Sequence, residues 1–158
     1  VHKSKTPPGA LGVAKAAVVA WGSGNHPFGL VGIELVKHNT LLATTVLSCL
    51  ANAMARVRRE RPEVRVEVEA DRLDQVRAFL EMEGIDVILL DNMDCPKLEM
   101  AVELRNKAGK KGTVDLEASG GVTLETVRRI AETGVERIAV GAVTHSVPAL
   151  EISLDVAA

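Results

Sequence analysis

The chain has 158 residues, of which 47% are hydrophobic, and this composition fits one domain with its own core rather than a disordered segment. Its 19 basic and 21 acidic residues leave a formal net charge of −2, which argues against nucleic acid as a partner. Two cysteines, Cys49 and Cys95, are too few for a disulfide framework; we expect both to be buried and the protein to be cytoplasmic. We expect no membrane span, because no apolar run is long enough to cross a bilayer.

Short apolar runs of strand length alternate with longer amphipathic stretches along the chain. The predicted elements, in chain order, are a strand at 33–37, a helix at 44–59, a strand at 65–69, a helix at 71–83, a strand at 87–90, a helix at 96–108, a strand at 113–116, a helix at 123–133, a strand at 137–140 and a weaker strand at 150–154. Asp71, Pro96 and Thr123 are candidate helix starts, and Gly134 is a candidate stop. This alternation predicts a parallel α/β fold, but periodicity does not separate an open doubly wound sheet from a barrel.

Polar or glycine residues follow each of the first five predicted strands. Because the carboxyl ends of parallel strands meet at one rim, the sequence predicts a polar site there. The segments are Lys37-His38-Asn39, Glu67-Val68-Glu69, Leu89-Leu90-Asp91-Asn92, Glu117-Ala118-Ser119-Gly120-Gly121 and Val140-Gly141-Ala142-Val143-Thr144-His145-Ser146.

Two carboxylates and two glycine-containing pairs are the residues of this rim that predict its chemistry. Glu69 and Asp91 suit Mg²⁺ binding, directly or through water, or stabilisation of a developing cation; the alternative is a solvated rim pair. Gly120-Gly121 and Gly141-Ala142 suit a phosphate, because glycine lets backbone N–H groups approach an anion; the alternative is a pair of tight turns.

Basic side chains give weaker indications of ligand binding. Lys5 and Lys37 could balance an anionic ligand, and the alternative is that each is a surface residue. His26 and His145 lie in glycine-containing loops, and neither has metal-ligand spacing with a cysteine or another histidine.

Taken together, the motifs resemble the catalytic barrel of type II quinolinate phosphoribosyltransferases. Besides the five rim segments, the matching segments are Lys5-Thr6-Pro7-Pro8-Gly9 and Asn25-His26-Pro27-Phe28-Gly29-Leu30. The resemblance implies that residues 1–158 form an incomplete, open parallel α/β barrel of about six strands. It also implies that the family's N-terminal domain is absent from this sequence and that the protein works as a homodimer or a higher homo-oligomer.

The resemblance further implies a reaction and the roles of the site residues. Quinolinate would receive phosphoribose from phosphoribosyl pyrophosphate in the presence of Mg²⁺, and loss of carbon dioxide would give nicotinate mononucleotide in NAD biosynthesis. Lys37, Glu69 and Asp91 would be catalytic, with the two carboxylates near the metal and the ribose. The substrate-binding residues would be Lys5, His26, Asn92, Ser119, Gly120, Gly121, Gly141, Ala142 and His145.

Departures from the family pattern fall in the first forty residues. Ser4 and Pro27 stand where the family has arginines that clamp the two carboxylates of quinolinate, and such bidentate donors are hard to replace. Thr40, Gly32 and Trp21 replace a histidine, an aspartate and a glycine of the family. Three hypotheses follow: an active phosphoribosyltransferase, a diverged barrel that binds a phosphorylated ligand without turning over quinolinate, or a non-catalytic scaffold.

Overall fold

The computed structural model of the chain describes residues 33–36 and 44–141, with side chains from Leu50 onward. Of these, the residues up to Val140 belong to one compact unit, and Gly141 belongs to a second. The predicted strand at 150–154, and with it the number of about six strands, lies outside the described residues.

Five strands and four helices alternate in the described part, as the sequence pattern predicts. They are β1 (Ile33–Val36), α1 (Thr44–Glu60), β2 (Arg65–Ala70), α2 (Leu73–Leu80), β3 (Val87–Asp91), α3 (Cys95–Lys107), β4 (Asp115–Ser119), α4 (Val127–Glu132) and β5 (Arg137–Ile138). None of the described helices is both long and apolar enough to cross a membrane.

The strand order resolves the choice between a doubly wound sheet and a barrel. All four neighbouring pairs are parallel, and the sheet has the sequential order β1-β2-β3-β4-β5. A doubly wound sheet reverses its strand order at a switch point and carries helices on both faces. Here apolar residues of all four helices join one core on a single face, which is the arrangement of an α/β barrel wall.

The two faces of the sheet differ because side chains alternate along a strand. The helix-covered face carries small and branched aliphatic residues, which pack against the helices: Val66, Val68, Ala70, Ile88, Leu90, Leu116 and Ala118. The opposite face, here called the charged face, carries mainly charged residues around two buried aliphatic ones: Arg65, Glu67, Glu69, Val87, Leu89, Asp91, Asp115, Glu117 and Arg137.

Two arginines, Arg105 buried and Arg58 half-buried, tie helices to the amino ends of strands in the same way. Arg105 of α3 donates to the Val114 carbonyl (3.1 Å) and to the Glu136 carboxylate (2.8 Å), which also accepts the Leu116 N–H (2.9 Å). Arg58 of α1 repeats this pattern, since it donates to the Val64 carbonyl and to the Asp86 carboxylate, which also accepts the Val66 N–H. Each clamp holds one helix against the start of the following strand.

Several predicted boundaries were wrong. Asp71 is not the cap of α2: Arg72 is the N-cap residue, and the Gln75 side chain accepts the Asp71 N–H at 2.8 Å. That helix ends at Leu80 rather than at residue 83. Pro96 does lie in the first turn of α3, whose Asp94 cap accepts the Lys97 N–H at 3.1 Å.

The predicted strand at 113–116 is shifted, because β4 covers Asp115–Ser119. The N–H groups of Thr113 and Val114 both donate to the Lys110 carbonyl, so these residues close a turn instead of entering the sheet. Cys95 was expected to be buried; it is half-buried at the start of α3 and packs against the core. The side chain of Cys49 lies outside the described residues.

Candidate functional site

The structure places polar and glycine residues of the predicted rim at the carboxyl ends of β2, β3 and β4. Glu69 lies near the end of β2 and Asp91 ends β3, where it is in register with Ser119 at the end of β4. Asn92, Gly120 and Gly121 follow directly. We call these six residues the rim site: Glu69, Asp91, Asn92, Ser119, Gly120 and Gly121.

Glu69 and Asp91 lie on the same face of neighbouring strands. Glu69 is in register with Leu89. Asp91 lies two residues after Leu89, and therefore on the same face of the sheet. Both residues are half-buried, and within the described part the Asp91 carboxylate makes no hydrogen bond or ion pair. No described residue therefore occupies the position that a ligand of this carboxylate would take.

The two carboxylates fit a metal that is shared with a ligand. No group of three or more acidic, histidine or cysteine side chains arranged for metal binding occurs among the described residues. Mg²⁺ is commonly held by one or two carboxylates, with water and substrate phosphates completing its shell. Glu69 and Asp91 suit that mode rather than a metal site built from protein ligands alone.

Asn92 and Gly120 form a tight contact at the ends of β3 and β4. Asn92 has a positive φ of 53°, which asparagine tolerates better than most residues, and its N–H donates to the Ser119 carbonyl at 2.8 Å. Gly120 has φ +89°, and a Cβ there would lie 2.5 Å from Oδ1 of Asn92. The absence of a side chain at Gly120 thus makes room for the Asn92 carboxamide.

Gly120 and Gly121 offer backbone donors. Both have positive φ, and neither N–H donates a hydrogen bond within the described part. The sequence predicted a helix start at Thr123, close enough to add its dipole, but α4 begins only at Val127 and has six residues. Thr123–Thr126 instead form a turn in which the Val127 N–H donates to the Thr123 carbonyl at 2.9 Å. An anion at this position would therefore be bound by the glycine N–H groups, without a helix dipole.

Sequence reasoning missed the charge network on the charged face. Asp115 accepts Arg65 at 2.8 Å and lies 3.2 Å from Arg137, whose guanidinium is also 4.0 Å from Glu117. Glu67 is fully buried, and neither of its carboxylate oxygens has a hydrogen-bond partner among the described residues. The sequence did contain a sign of this network, the alternation Arg65-Val66-Glu67-Val68-Glu69. This alternation puts the charged residues on one face of a strand, and both faces of that strand are buried.

Burial raises the pKa of the Glu67 carboxyl to about 7. The negative charge of Glu117 adds to this rise, whereas the Arg137 guanidinium opposes it. Burial also raises the pKa of Glu117, against the opposing effect of Arg137. Both carboxyl groups therefore hold their protons more tightly in the folded chain than in the unfolded one.

We expect the free energy of unfolding to fall as the pH rises from 4.5 to about 7. In this window the folded chain binds more protons at Glu67 than the unfolded chain does, so a rising pH favours unfolding, by about 3 kcal/mol at most from this group. Urea unfolding of the wild type and of Glu67→Gln at several pH values measures the effect. Because the glutamine side chain has no proton to lose, the free energy of unfolding of Glu67→Gln should fall much less with pH. A fall as steep as that of the wild type would contradict the raised pKa of Glu67.

The remaining predicted site residues cannot be compared with the rim site. Lys5, His26, Lys37, Ala142 and His145 lie outside the described residues, as do Ser4, Trp21, Pro27, Gly32 and Thr40. Gly141 is exposed and belongs to the second compact unit.

Comparisons with known sequences agree with these observations. The sequence model of the family described as quinolinate phosphoribosyl transferase, C-terminal domain, matches residues 2–155. The chain is 42% identical over 151 residues to a nicotinate-nucleotide pyrophosphorylase (carboxylating) of Mycobacterium leprae, with 96% of this chain and 51% of that protein covered. It is 40% identical over 167 residues to a mitochondrial quinolinate phosphoribosyltransferase (decarboxylating) of Nicotiana glauca, with 96% and 46% covered. The chain thus spans about half the length of these relatives.

Solved structures share the fold. A nicotinate-nucleotide pyrophosphorylase from Francisella tularensis superposes with a TM-score of 0.75 at 32% identity, over 94% of this chain and 49% of that one. NadC from Streptococcus pyogenes gives a TM-score of 0.72 at 29% identity, over 90% and 47%. The strand order, the rim residues and the match over 2–155 lead to one conclusion: the chain belongs to the family of quinolinate phosphoribosyltransferase C-terminal domains.

Proposed function

We propose that this chain carries the catalytic barrel of an enzyme that transfers phosphoribose from phosphoribosyl pyrophosphate to quinolinate. The ring nitrogen of quinolinate attacks the anomeric carbon of the ribose as pyrophosphate leaves, and one carboxyl group is then lost as carbon dioxide. The product is nicotinate mononucleotide. The observation that carries the proposal is a set of polar groups at the ends of β3 and β4 that make no hydrogen bond or ion pair within the described residues: the Asp91 carboxylate and the N–H groups of Gly120 and Gly121.

The rim site supplies groups for the two halves of the donor substrate. Glu69 and Asp91 face the ribose, where negative charge stabilises the positive charge that develops as the bond to pyrophosphate breaks. Gly120 and Gly121 direct N–H groups to a phosphate, and the Asn92 carboxamide and the Ser119 hydroxyl add polar contacts beside them. Mg²⁺, held by Glu69 and Asp91 directly or through water, would offset the charge of the departing pyrophosphate. On the strength of the family resemblance, the proposal also assigns roles in the reaction to Lys5, Lys37, His26, Ala142 and His145.

Recognition of quinolinate is the part of the proposal that the residues Ser4 and Pro27 affect. We expect the chain to bind quinolinate weakly, because two arginine clamps of the family are missing. Ser4→Arg combined with Pro27→Arg should tighten quinolinate binding by at least about tenfold, since a charge-assisted hydrogen bond to a carboxylate contributes about 1.5–3 kcal/mol. Titration calorimetry of both proteins measures the change, and Ser4→Lys combined with Pro27→Lys is the matched control for charge without bidentate geometry.

Turnover tests the reaction itself. The chain is incubated with Mg²⁺, phosphoribosyl pyrophosphate and quinolinate, and nicotinate mononucleotide is quantified by chromatography. The proposal expects product from the wild type or from the variant with both arginines, and none after Asp91→Asn. Binding of phosphoribosyl pyrophosphate without turnover by either protein would favour the second candidate, a barrel that retains the phosphate site but has lost acid chemistry.

Assembly and location are also proposals. A homodimer or higher homo-oligomer is inferred from the family resemblance, and sedimentation of the purified chain measures it. A cytoplasmic location is inferred from the low cysteine count, although the Nicotiana glauca relative is described as mitochondrial.

A further inference from the structure

A groove lies between helix α1 and the turn that joins α2 to β3, and the proposed reaction uses none of its residues. Its volume is about 700 Å³. Ala51 and Ala55 of α1 are exposed in it, whereas their neighbours Leu50 and Met54 are buried. Met82, on the opposite wall, is half-buried and packs against the core. The residues that line the groove are Ala51, Ala55, Arg58, Arg59, Glu81, Met82, Glu83 and Gly84.

The shape of the groove suits a second helix. One of its ends is held by Arg58, which donates to the Gly84 carbonyl at 2.9 Å and pairs with Asp86. Ala51 and Ala55 extend no further than Cβ, so another helix can approach α1 closely. From Ala51 to Arg59 the helix rises about 12 Å, which is the length of about two turns of a partner helix.

The charges of the groove indicate what kind of helix it binds. Glu83 is already paired with Lys110 at 3.0 Å, and Arg58 is held as described above. Arg59 on the α1 wall and Glu81 on the opposite wall are exposed, and neither side chain makes a hydrogen bond or an ion pair with a described residue. Such a surface is self-complementary, because a two-fold axis brings the cation of each copy to the anion of the other.

We propose that this groove binds helix α1 of a second copy of the chain across a two-fold axis. The two α1 helices run antiparallel and cross at Ala55. Since Ala51 and Arg59 lie four residues to either side of Ala55, Arg59 of each copy then lies beside Ala51 of the other, in the groove that Glu81 lines. The inference rests on the proposed homo-oligomer, to which it gives an interface, and does not depend on the transfer of phosphoribose.

Four variants and a control test this interface by sedimentation velocity over a range of concentrations, without ligand. Arg59→Glu and Glu81→Arg each replace an attraction with a repulsion, and their combination restores the pair with the signs exchanged. Ala55→Arg puts a long charged side chain at the centre of the groove. Ala53→Arg is the control, because Ala53 is exposed on the same helix and does not line the groove. Arginine is a good helix former, so α1 should be kept in both, and circular dichroism checks the fold of every variant.

We expect the wild type to be in a concentration-dependent equilibrium between monomer and dimer. Because the axis makes every contact occur twice, Arg59→Glu and Glu81→Arg should each raise the Kd of the dimer at least about tenfold. Ala55→Arg should raise it by at least as much. The double variant Arg59→Glu with Glu81→Arg, and the control Ala53→Arg, should both dimerise within about threefold of the wild type.

Three results would overturn the inference. A folded wild type that stays monomeric at every concentration would leave the groove to some other partner. A dimer that Ala55→Arg and both charge reversals leave unchanged would form through another surface. A double variant that dimerises no better than the single variants would show that Arg59 and Glu81 do not meet across the axis.

Titration with phosphoribosyl pyrophosphate separates this inference from the proposed reaction. The groove lies beside helix α1 and the turn after α2, whereas the rim site lies at the carboxyl ends of the strands, so Ala55→Arg should bind the ligand as the wild type does. A wild type that dimerises through the groove but binds no phosphoribosyl pyrophosphate would defeat the proposed reaction and leave the interface standing.

Discussion

Replacing Arg105 with methionine should lower the free energy of unfolding by about 3 kcal/mol. The Arg105 side chain is 1% exposed, and its guanidinium joins Val114, Glu136 and Asn106. Methionine fills much of the same volume but removes the guanidinium donor from the Val114 carbonyl and from Oε1 of Glu136, which keeps only the Leu116 N–H at its other oxygen. Because a domain of this size is stable by only about 5–15 kcal/mol, this loss should be plain in a urea titration.

The structure supplies two comparisons for this change. Arg58→Met breaks the corresponding clamp on α1, where the arginine side chain is 30% exposed, so a smaller loss is expected. Arg128→Met removes an exposed pair with Glu132 and should cost less than about 0.5 kcal/mol. If Arg105→Met were no more destabilising than Arg128→Met, the buried clamp would not contribute to stability as described.

The second large effect is expected for Gly120→Ala. The new Cβ would meet Oδ1 of Asn92 at 2.5 Å and its Cγ at 2.8 Å, and the positive φ of 89° adds strain. Together these should cost about 2–4 kcal/mol. Since relief of the clash requires the Asn92 carboxamide to move, binding of phosphoribosyl pyrophosphate should weaken as well.

Gly121→Ala is the matched control for stability. Gly121 also has a positive φ, of 62°, but a Cβ there meets nothing within 4 Å. Its loss of stability should therefore reflect strain alone, about 1–2 kcal/mol. The double variant Gly120→Ala with Asn92→Gly should recover part of the loss, because it removes the side chain that the new Cβ meets. Strictly additive losses would show that the two residues do not interact in this way.

The part of the rim site that could be predicted from sequence is the part that follows from strand order. Asp91 and Ser119 could be placed at one edge, because each follows an apolar run and parallel strands end together. The choice of a barrel over a doubly wound sheet could not be made from periodicity. It depends on which strands are neighbours and on which face the helices cover, and both are tertiary properties.

Three other features could not be predicted from the sequence, each for a physical reason. β4 was predicted too early because Val114 looks like a strand residue, yet its N–H is used by the turn to Lys110. Glu67 was passed over because an isolated glutamate in a strand usually faces solvent. The close approach of Gly120 to Asn92 joins residues 28 positions apart, and no local pattern reports such a contact.

The most direct test of the central claim is calorimetric titration of the folded chain with phosphoribosyl pyrophosphate, with and without Mg²⁺. The claim is that the carboxyl ends of β2, β3 and β4 form a phosphoribosyl site around Asp91 and Gly120. It predicts one saturable binding event that strengthens with Mg²⁺, weakens in Asp91→Asn and Gly120→Ala, and is unchanged in the exposed control Asp74→Asn. Absence of binding by a wild-type chain shown to be folded would contradict the claim. Binding by Asp91→Asn and Gly120→Ala that is as tight as that of the wild type would also contradict it.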